Sequence, residues 1–300
     1  MKNICNSSFF GLIVLYNPEG DLFIENIQKL IKLGISVIIY DNSASLTTIE
    51  RNEKKLKRLP AGITFFHNRG ANLGLSSAFF ETVEKLIGSE SSTSGIFFFD
   101  QDSVITEPTI LRLMQSFNKM IVKDDFGMVC GMPVKDDNTN YRIRYVNNST
   151  IEDEFIEVSR VPISFALIPL RTFGVVGNFE KDFFIDYIDN NFCFRCRANG
   201  LKIFVDREAP FLHEVGLGNI SFLNMTFPYS TADRHYYQIR NRILSSKNLQ
   251  GSKILLIKEL IFRIGVIAII GLKKGDFFER MKYVRRGLWD GKRSVVGKYK

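Results

Sequence analysis

Two carboxylates one residue apart follow an unbroken apolar run, and they are the first candidates for chemistry in this chain. Residues 95–99 (GIFFF) precede Asp100 and Asp102, with Gln101 between them. An apolar run of this kind is typical of a strand buried on both faces of a parallel sheet, and ligands bind where such strands end. The two carboxylates could hold Mg²⁺, which prefers few protein ligands plus water and phosphate oxygens. The alternative is an Asp-rich turn in which Ser103 caps the next helix.

The order of the apolar segments predicts an α/β fold. Apolar runs that end at turn residues predict strands at 9–16, 36–40 and 63–67, and helical spacing predicts helices at 22–33 and 78–87. Strands that alternate with helices form right-handed βαβ units. We therefore expect a Rossmann-like, mostly parallel central sheet flanked by helices.

Small and polar residues follow each of these strands, so we expect them to meet at one edge of the sheet. Asn17 follows the first strand, Asp41 the second, and the segment 68–74 (NRGANLG) the third. Glycines let a backbone approach a ligand closely, and amides at a helix start suit phosphate. The sequence has neither the G-x-G-x-x-G nor the G-x-x-x-x-G-K-[ST] pattern, so dinucleotide binding and P-loop chemistry are not supported.

The second half of the chain adds further titratable candidates. Asp186 and Asp189 stand at helical spacing beside a predicted helix at 190–199, where two carboxylates can shift each other's pKa. A solvated acidic helix start is the alternative. His213 follows an apolar segment and could be either a metal ligand or a structural histidine.

A run of arginines and tyrosines at 234–242 could bind an anion. The planar guanidinium groups of Arg234 and Arg240 suit the two oxygens of a diphosphate. The alternatives are a nucleic-acid surface and an ordinary helical surface.

Composition narrows the class of protein. The chain has 300 residues, 45% of them hydrophobic and 24% charged, which is ordinary for a globular protein. Its four cysteines are too few for a disulfide framework, residues 1–8 do not read as a signal peptide, and the apolar run at 264–272 is short of the roughly 20 residues that span a membrane. We expect a cytoplasmic protein, in which Cys193 and Cys196 are packed in the interior.

The excess positive charge is confined to the end of the chain. Residues 251–300 contain 13 Lys and Arg and 4 Asp and Glu, whereas the remainder contains 27 and 28. The near-neutral remainder and the lack of a binding motif argue against nucleic acid. Apolar residues recur at helical spacing in this basic tail, which predicts either binding to an anionic membrane surface or a helix that packs on the core.

In their order and spacing, these segments resemble family 2 glycosyltransferases of the GT-A fold, and bacterial rhamnosyltransferases of O-antigen and cell-wall polysaccharide assembly in particular. The resemblance covers roughly residues 9–241 and rests on the segments 14–18, 40–43, 68–74, 99–103, 183–189, 213–216 and 234–241.

The resemblance implies roles for these residues. Asp41 would contact the donor nucleobase. Asp102, with Asp100 behind it and His213 as a further ligand, would hold Mg²⁺ or Mn²⁺ against the donor diphosphate. Asp189 would be the general base, with Asp186 as the second candidate. The other residues expected at the donor are Asn17, Asn68, Arg69, Gly70, Asn72, Gly74, Asp100, Gln101, Arg234 and Arg240.

The expected protein is an inverting glycosyltransferase that moves L-rhamnose from dTDP-β-L-rhamnose to a polyprenyl-diphosphate-linked saccharide at the cytoplasmic face of the inner membrane. Its GT-A domain would span 1–245, with a nucleotide-sugar half at 1–105 and an acceptor half at 106–245, and 246–300 would be a membrane-associating helical tail. The alternatives are a UDP-hexose donor on the same fold and a non-catalytic protein that binds lipid or polyanions. The sequence does not indicate the acceptor sugar, the linkage or the oligomeric state.

Overall fold

The computed structural model describes residues 8–67, 70–87, 94–134, 154–213, 216–223, 225–248 and 253–300. The strands are Phe9–Leu15 (β1), Ser36–Asp41 (β2), Ile63–His67 (β3), Gly95–Asp100 (β4), Phe126–Val134 (β5), Phe155–Val158 (β6), Ala166–Pro169 (β7), Lys202–Leu212 (β8), Asn219–Phe222 (β9) and Met225–Pro228 (β10). The α-helices are Leu22–Lys32 (α1), Leu46–Leu56 (α2), Leu75–Leu86 (α3), Glu107–Met120 (α4), Leu170–Val176 (α5), Ile188–Ala198 (α6), Arg234–Asn248 (α7), Lys253–Lys274 (α8) and Phe277–Lys292 (α9).

An eight-stranded sheet forms the centre of the fold, in the order β3-β2-β1-β4-β7-β5-β8-β6. The pairs β3–β2, β2–β1, β1–β4 and β5–β8 are parallel. Strand β7 is antiparallel to both of its neighbours, and β6 is antiparallel at the edge. The expectation of a mostly parallel sheet flanked by helices is confirmed.

The register of the central strands brings the acids predicted from the sequence to one edge. Val14 of β1 pairs with Asp100 of β4, and Leu15 pairs with Asp41 of β2. The side chains of Ile96 to Phe99 are almost fully buried, because β4 has neighbours on both faces of the sheet. Burial of this run fixes the register and therefore the position at which the carboxylates emerge.

Two predicted helices begin earlier in the structure than expected, and α2 is among the helices that were not predicted. Helix α3 begins at Leu75 and not at 78, because Gly74 adopts φ +89° and turns the chain directly into the helix. Helix α6 begins at Ile188 and not at 190, so Asp189 lies within its first turn. Helix α2 was not predicted, because it is mostly polar and buries little apolar surface.

The cysteines that the structure describes lie in the interior, as expected for Cys193 and Cys196. Cys130, Cys193 and Cys196 are buried free thiols, which confirms interior packing, and Cys5 lies outside the described residues. Among the described residues, no helix combines the length and apolar character needed to cross a membrane.

The C-terminal helices pack on the rest of the protein through close backbone contacts. A Cβ on Gly287 of α9 would lie 2.7 Å from the carbonyl oxygen of Tyr236 in α7. The Tyr236 hydroxyl donates to Asp290 of α9 at 2.9 Å. Helix α8 buries Ile267 and Ile270 but leaves other apolar side chains exposed. The predicted boundary at 245 falls inside α7, which packs directly on α9.

Replacing Gly287 with Ala should lower the free energy of unfolding by about 1–3 kcal/mol, because the new methyl group overpacks the α7–α9 contact. Gly265→Ala in α8 is the matched control, since no atom lies within 4 Å of its added Cβ. That variant should be neutral or slightly stabilising, because Ala favours a helix. Urea unfolding measures both, and equal effects of the two substitutions would contradict the proposed packing.

Candidate active site

The residues after β4 form a turn fixed to the end of β1. The Gln101 side chain accepts a hydrogen bond from the Tyr16 amide at 2.8 Å and donates one to the Tyr16 carbonyl at 3.3 Å. Asp100 is half-buried, whereas Asp102 is exposed. Since both ends of the Gln101 amide bind the backbone, this side chain positions the two carboxylates on either side of it.

His213 reaches the same edge from the other half of the sheet. Its amide donates to the carbonyl of Val134 at 3.0 Å, which continues the pairing of β8 with β5. Its Nδ1 lies 4.0 Å from Oδ2 of Asp100. The structure therefore brings His213 and Asp100 together, although 113 residues separate them in the chain.

These residues suit a cation that is shared with a ligand. Among the described residues, no group of three His, Cys, Asp or Glu side chains could hold a metal ion by itself. Asp100 and Asp102 supply carboxylate oxygens and His213 supplies an imidazole nitrogen. Mg²⁺ commonly takes only one or two protein carboxylates and completes its shell with water and phosphate oxygens. The donor set therefore fits a divalent cation that also contacts a phosphate group.

Asp41 is fully buried at the end of β2, where its carboxylate organises the neighbouring loops. It accepts hydrogen bonds from the amide of Ser43 at 2.9 Å and from the side chain of Asn52 at 2.8 Å. The Ser43 hydroxyl in turn accepts from the amide of Asn17 at 2.9 Å. Asn52 was missed from the sequence, because it lies in the unpredicted helix α2. The contact of Asp41 with a nucleobase stays a prediction.

The glycine-containing loop is described from Gly70 onward, and Asn68 and Arg69 lie outside the described residues. Gly70 and Gly74 adopt φ +83° and +89°. The Asn72 side chain accepts from the Gly74 amide at 2.9 Å. Gly74 has a clear reason to be glycine, because a Cβ there would lie 2.4 Å from the carbonyl oxygen of Phe184. The loop thus touches the segment that carries the second pair of acids.

The segment of residues 183–187, which carries Asp186 and leads into Asp189, is called the acid loop below, and its backbone is strained. Phe184, Asp186 and Tyr187 adopt φ of 65°, 67° and 68°. Non-glycine residues with positive φ are uncommon and each costs free energy, so three in one short loop need strong support. Ser76 of α3 provides part of it, since its amide donates to the Phe184 carbonyl at 3.2 Å.

Helix α7 holds the acid loop from the other side. The Asn241 side chain donates to the carbonyls of Ile185 at 2.9 Å and Asp186 at 2.8 Å. Arg240 is fully buried and donates to the carbonyls of Phe183 at 2.8 Å and Gly297 at 2.6 Å. The Arg240 guanidinium therefore anchors the acid loop to the C-terminal residues, and its expected contact with the donor stays a prediction.

Asp186 and Arg234 form a closed pair. The Arg234 Nε and Nη2 atoms donate to the two Asp186 oxygens at 2.9 and 2.7 Å. A carboxylate held in such a bidentate pair has a fixed counterion and two occupied oxygens. Asp186 is therefore the poorer of the two base candidates. The contact of Arg234 with a donor stays a prediction.

Asp189 has a different environment in the first turn of α6. It is half-buried, and its Oδ1 accepts from the Asn190 amide at 2.8 Å. Desolvation raises the pKa of the Asp189 carboxyl, the Asn190 bond opposes the rise, and the charge of Asp186 adds to it. A carboxylate with a raised pKa is a better proton acceptor near neutral pH. The structure therefore separates the two acids into a paired one and one suited to take a proton.

Comparison with known proteins supports the expected class. No family model matches the chain. It is 25% identical over 305 aligned residues to the dTDP-rhamnosyl transferase RfbF of Shigella flexneri, covering 97% of this chain and 98% of that protein.

Solved structures share the fold at low sequence identity. The mannosyltransferase PcManGT from Pyrobaculum calidifontis, in complex with GDP-Man and Mn²⁺, matches 96% of this chain and 86% of its own, with a TM-score of 0.57 and 11% identity. GalNAc-T7 with UDP, GalNAc and Mn²⁺ matches 82% of this chain with a TM-score of 0.59 and 11% identity, and this chain spans about half (48%) of it.

The solved structures confirm the GT-A fold expected from the sequence, and the sequence similarity to a dTDP-rhamnosyl transferase supports glycosyltransferase activity.

Replacing Asp189 with Asn should raise the melting temperature by a few degrees at pH 7. The raised pKa means that the folded state favours the protonated acid, so the ionised carboxylate destabilises the fold at neutral pH and the neutral amide does not. The gain should disappear as the pH falls below the ordinary pKa of an aspartate, about 3.9, because both states are then protonated in the parent.

Calorimetry at several pH values measures this difference. Asp182→Asn is the control, since its exposed side chain lies on the same segment of chain. A pH-independent gain, or an equal gain in the control, would contradict the assignment of a desolvated carboxylate.

Proposed function

We propose that this protein is an inverting glycosyltransferase that moves L-rhamnose from dTDP-β-L-rhamnose to a lipid-linked saccharide. The observation that carries the proposal is the position of Asp189. A carboxylate with a raised pKa stands in the first turn of α6, directly after the strained loop that touches the Gly74 turn, while Asp100 and His213 approach each other at the sheet edge. The 25% identity to a dTDP-rhamnosyl transferase over nearly the whole chain supports the choice of donor.

In the proposed reaction, Asp189 removes the proton from the acceptor hydroxyl as that oxygen attacks the anomeric carbon. The bond from the anomeric carbon to the diphosphate oxygen breaks in the same step, and the electron pair leaves with dTDP. Attack opposite to the leaving group inverts the anomeric centre, so a β-linked donor gives an α-linked product. Asp186 stays paired with Arg234 and helps to keep the pKa of Asp189 raised.

A divalent cation completes the proposed donor site. Asp100, Asp102 and His213 would hold Mg²⁺ or Mn²⁺, which would stabilise the negative charge that develops on the departing diphosphate. The Mn²⁺ in the complexes of GalNAc-T7 and PcManGT supports this choice. Asn17, Asp41 and the 68–74 loop would receive the nucleoside, since Asn17, Asp41 and the described part of the loop from Gly70 follow the neighbouring strands β1, β2 and β3.

The proposed acceptor carries a polyprenyl diphosphate, so the enzyme would work at the cytoplasmic face of the inner membrane as a peripheral protein. The support comes from the C-terminal region. It holds the excess positive charge of the chain, and α8 exposes Ile257, Ile261 and Phe262 beside an exposed Lys258. Exposed apolar side chains with flanking lysines are typical of helices that bind anionic lipid surfaces.

The purified protein should turn over dTDP-rhamnose in a panel of nucleotide sugars when Mg²⁺ or Mn²⁺ and a lipid-linked acceptor are supplied, and EDTA should stop turnover. Transfer of radiolabelled sugar measures the reaction. Turnover of a UDP-hexose alone would contradict the donor assignment but keep the reaction class. Absence of both turnover and donor binding would favour the non-catalytic lipid-binding alternative.

Asp189→Asn should lower the rate constant for transfer by about 10²–10⁴-fold, because the general base is lost. Its dissociation constant for dTDP-rhamnose, measured by calorimetry, should stay near that of the parent. Asp182→Asn should transfer at the parent rate. An Asp189→Asn variant that transfers at the parent rate would contradict the assignment of Asp189 as the general base.

A further inference from the structure

The hairpin β9–β10 has one apolar face that the proposed chemistry does not use. Met225 pairs with Phe222, and Phe227 pairs with Ile220. Because side chains alternate along a strand, these four residues share one face of the hairpin. The other face carries Asn219, Ser221, Thr226 and Pro228. This alternation can be read from the sequence, but it was missed because each strand has only four residues.

The tip of the hairpin is unusual in conformation and in residue type. Leu223 adopts φ +45° and is 76% exposed. Turns with positive φ ordinarily take Gly, Asn or Asp, because a branched apolar side chain is strained there. An exposed leucine at such a position costs conformational free energy and gains little from burial in the folded chain. Leu217, at the base of the hairpin, is also 64% exposed.

The hairpin lies along α8, so the exposed apolar residues of both elements form one surface. The rings of Phe227 and Phe262 are 6.4 Å apart. At the C-terminal end of α8, Nζ of Lys274 lies 3.9 Å from the ring centre of Tyr229, which follows the hairpin. We call this the hairpin–α8 surface, and its exposed members are Leu217, Leu223, Met225, Ile257, Ile261 and Phe262.

The charges around this surface select an anionic partner. Lys258, Lys273 and Lys274 of α8 are exposed. Glu259 is the one acid in the sequence of α8, and it pairs with Arg160 at 3.3 Å. Apolar side chains that can enter the acyl region, with lysines beside them at the level of the headgroups, match a bilayer that contains anionic lipid.

We propose that the β9–β10 hairpin inserts into an anionic phospholipid bilayer and, with α8, orients the active site toward the membrane. This inference rests on the proposed lipid-linked acceptor but identifies a docking element outside the basic tail. Leu217 follows His213 by four residues, so insertion of the hairpin would place the His213 edge of the site at the membrane surface. The acceptor saccharide could then reach the site while its lipid stays in the bilayer.

The test uses the full chain and vesicles of phosphatidylethanolamine with phosphatidylglycerol. Leu223→Asp should lower the vesicle-bound fraction, with a partition coefficient reduced roughly tenfold by the loss of a buried leucine. The variant should fold normally, because Asp tolerates positive φ better than Leu. Val122→Asp is the matched control, since Val122 is 78% exposed at the end of α4 and the charge change is the same. The control should bind vesicles like the parent.

Equal binding of the parent and Leu223→Asp would overturn the proposal, and so would an equal loss in Val122→Asp. A concentration-dependent dimer that Leu223→Asp abolishes, with unchanged vesicle binding, would assign the surface to a second copy of the chain. Donor hydrolysis in detergent-free buffer separates this inference from the proposed function. Leu223→Asp should hydrolyse dTDP-rhamnose at the parent rate, whereas a failure of the proposed function would show as no donor turnover in any variant.

Discussion

The strained acid loop is the feature on which the rest of the site depends. Three groups fix it: the amide of Ser76 from α3, and the Asn241 side-chain amide and the Arg240 guanidinium from α7. Each satisfies a carbonyl that the unusual backbone turns away from regular structure. The unfavourable φ values persist because several hydrogen bonds determine the same conformation. The loop in turn sets where Asp189 stands.

The same hydrogen bonds make the C-terminal region part of the site. Arg240 bridges the acid loop and Gly297, and Gly287 allows α9 to lie directly against α7. Helix α8 adds Arg263, whose guanidinium donates to Gln238 of α7 at 3.1 Å. The basic residues of the C-terminal region therefore divide into two groups. Arg263 packs on α7, the helix that holds the acid loop, whereas others, such as Lys258, are exposed.

The sequence predicts an element well where one continuous run of residues is buried. It predicts side-chain contacts poorly where they join residues that lie far apart in the chain. The apolar run at 96–99 and the acids that follow it predicted both β4 and the sheet edge, because the run forms one strand that ends at these acids. Helix α2 was missed because only Leu46, Ile49 and Leu56 of its residues are apolar. Arg240 was expected at the donor because a guanidinium can bind two diphosphate oxygens at once. Its partners in the structure are backbone carbonyls more than 50 residues away in the chain. No local pattern reports such contacts, and the same holds for the ion pair that distinguishes Asp186 from Asp189.

The most direct test is the pH dependence of single-turnover transfer from dTDP-rhamnose. If Asp189 is the base, the rate should rise with pH to a plateau, because the carboxylate must be ionised to accept a proton. The midpoint of this rise should lie above the pKa of an ordinary aspartate, because desolvation raises the pKa of Asp189. Asp189→Asn should remove both the rise and nearly all of the rate. A parent rate that does not change with pH across the acidic range, or an Asp189→Asn variant that keeps the same profile, would contradict the account.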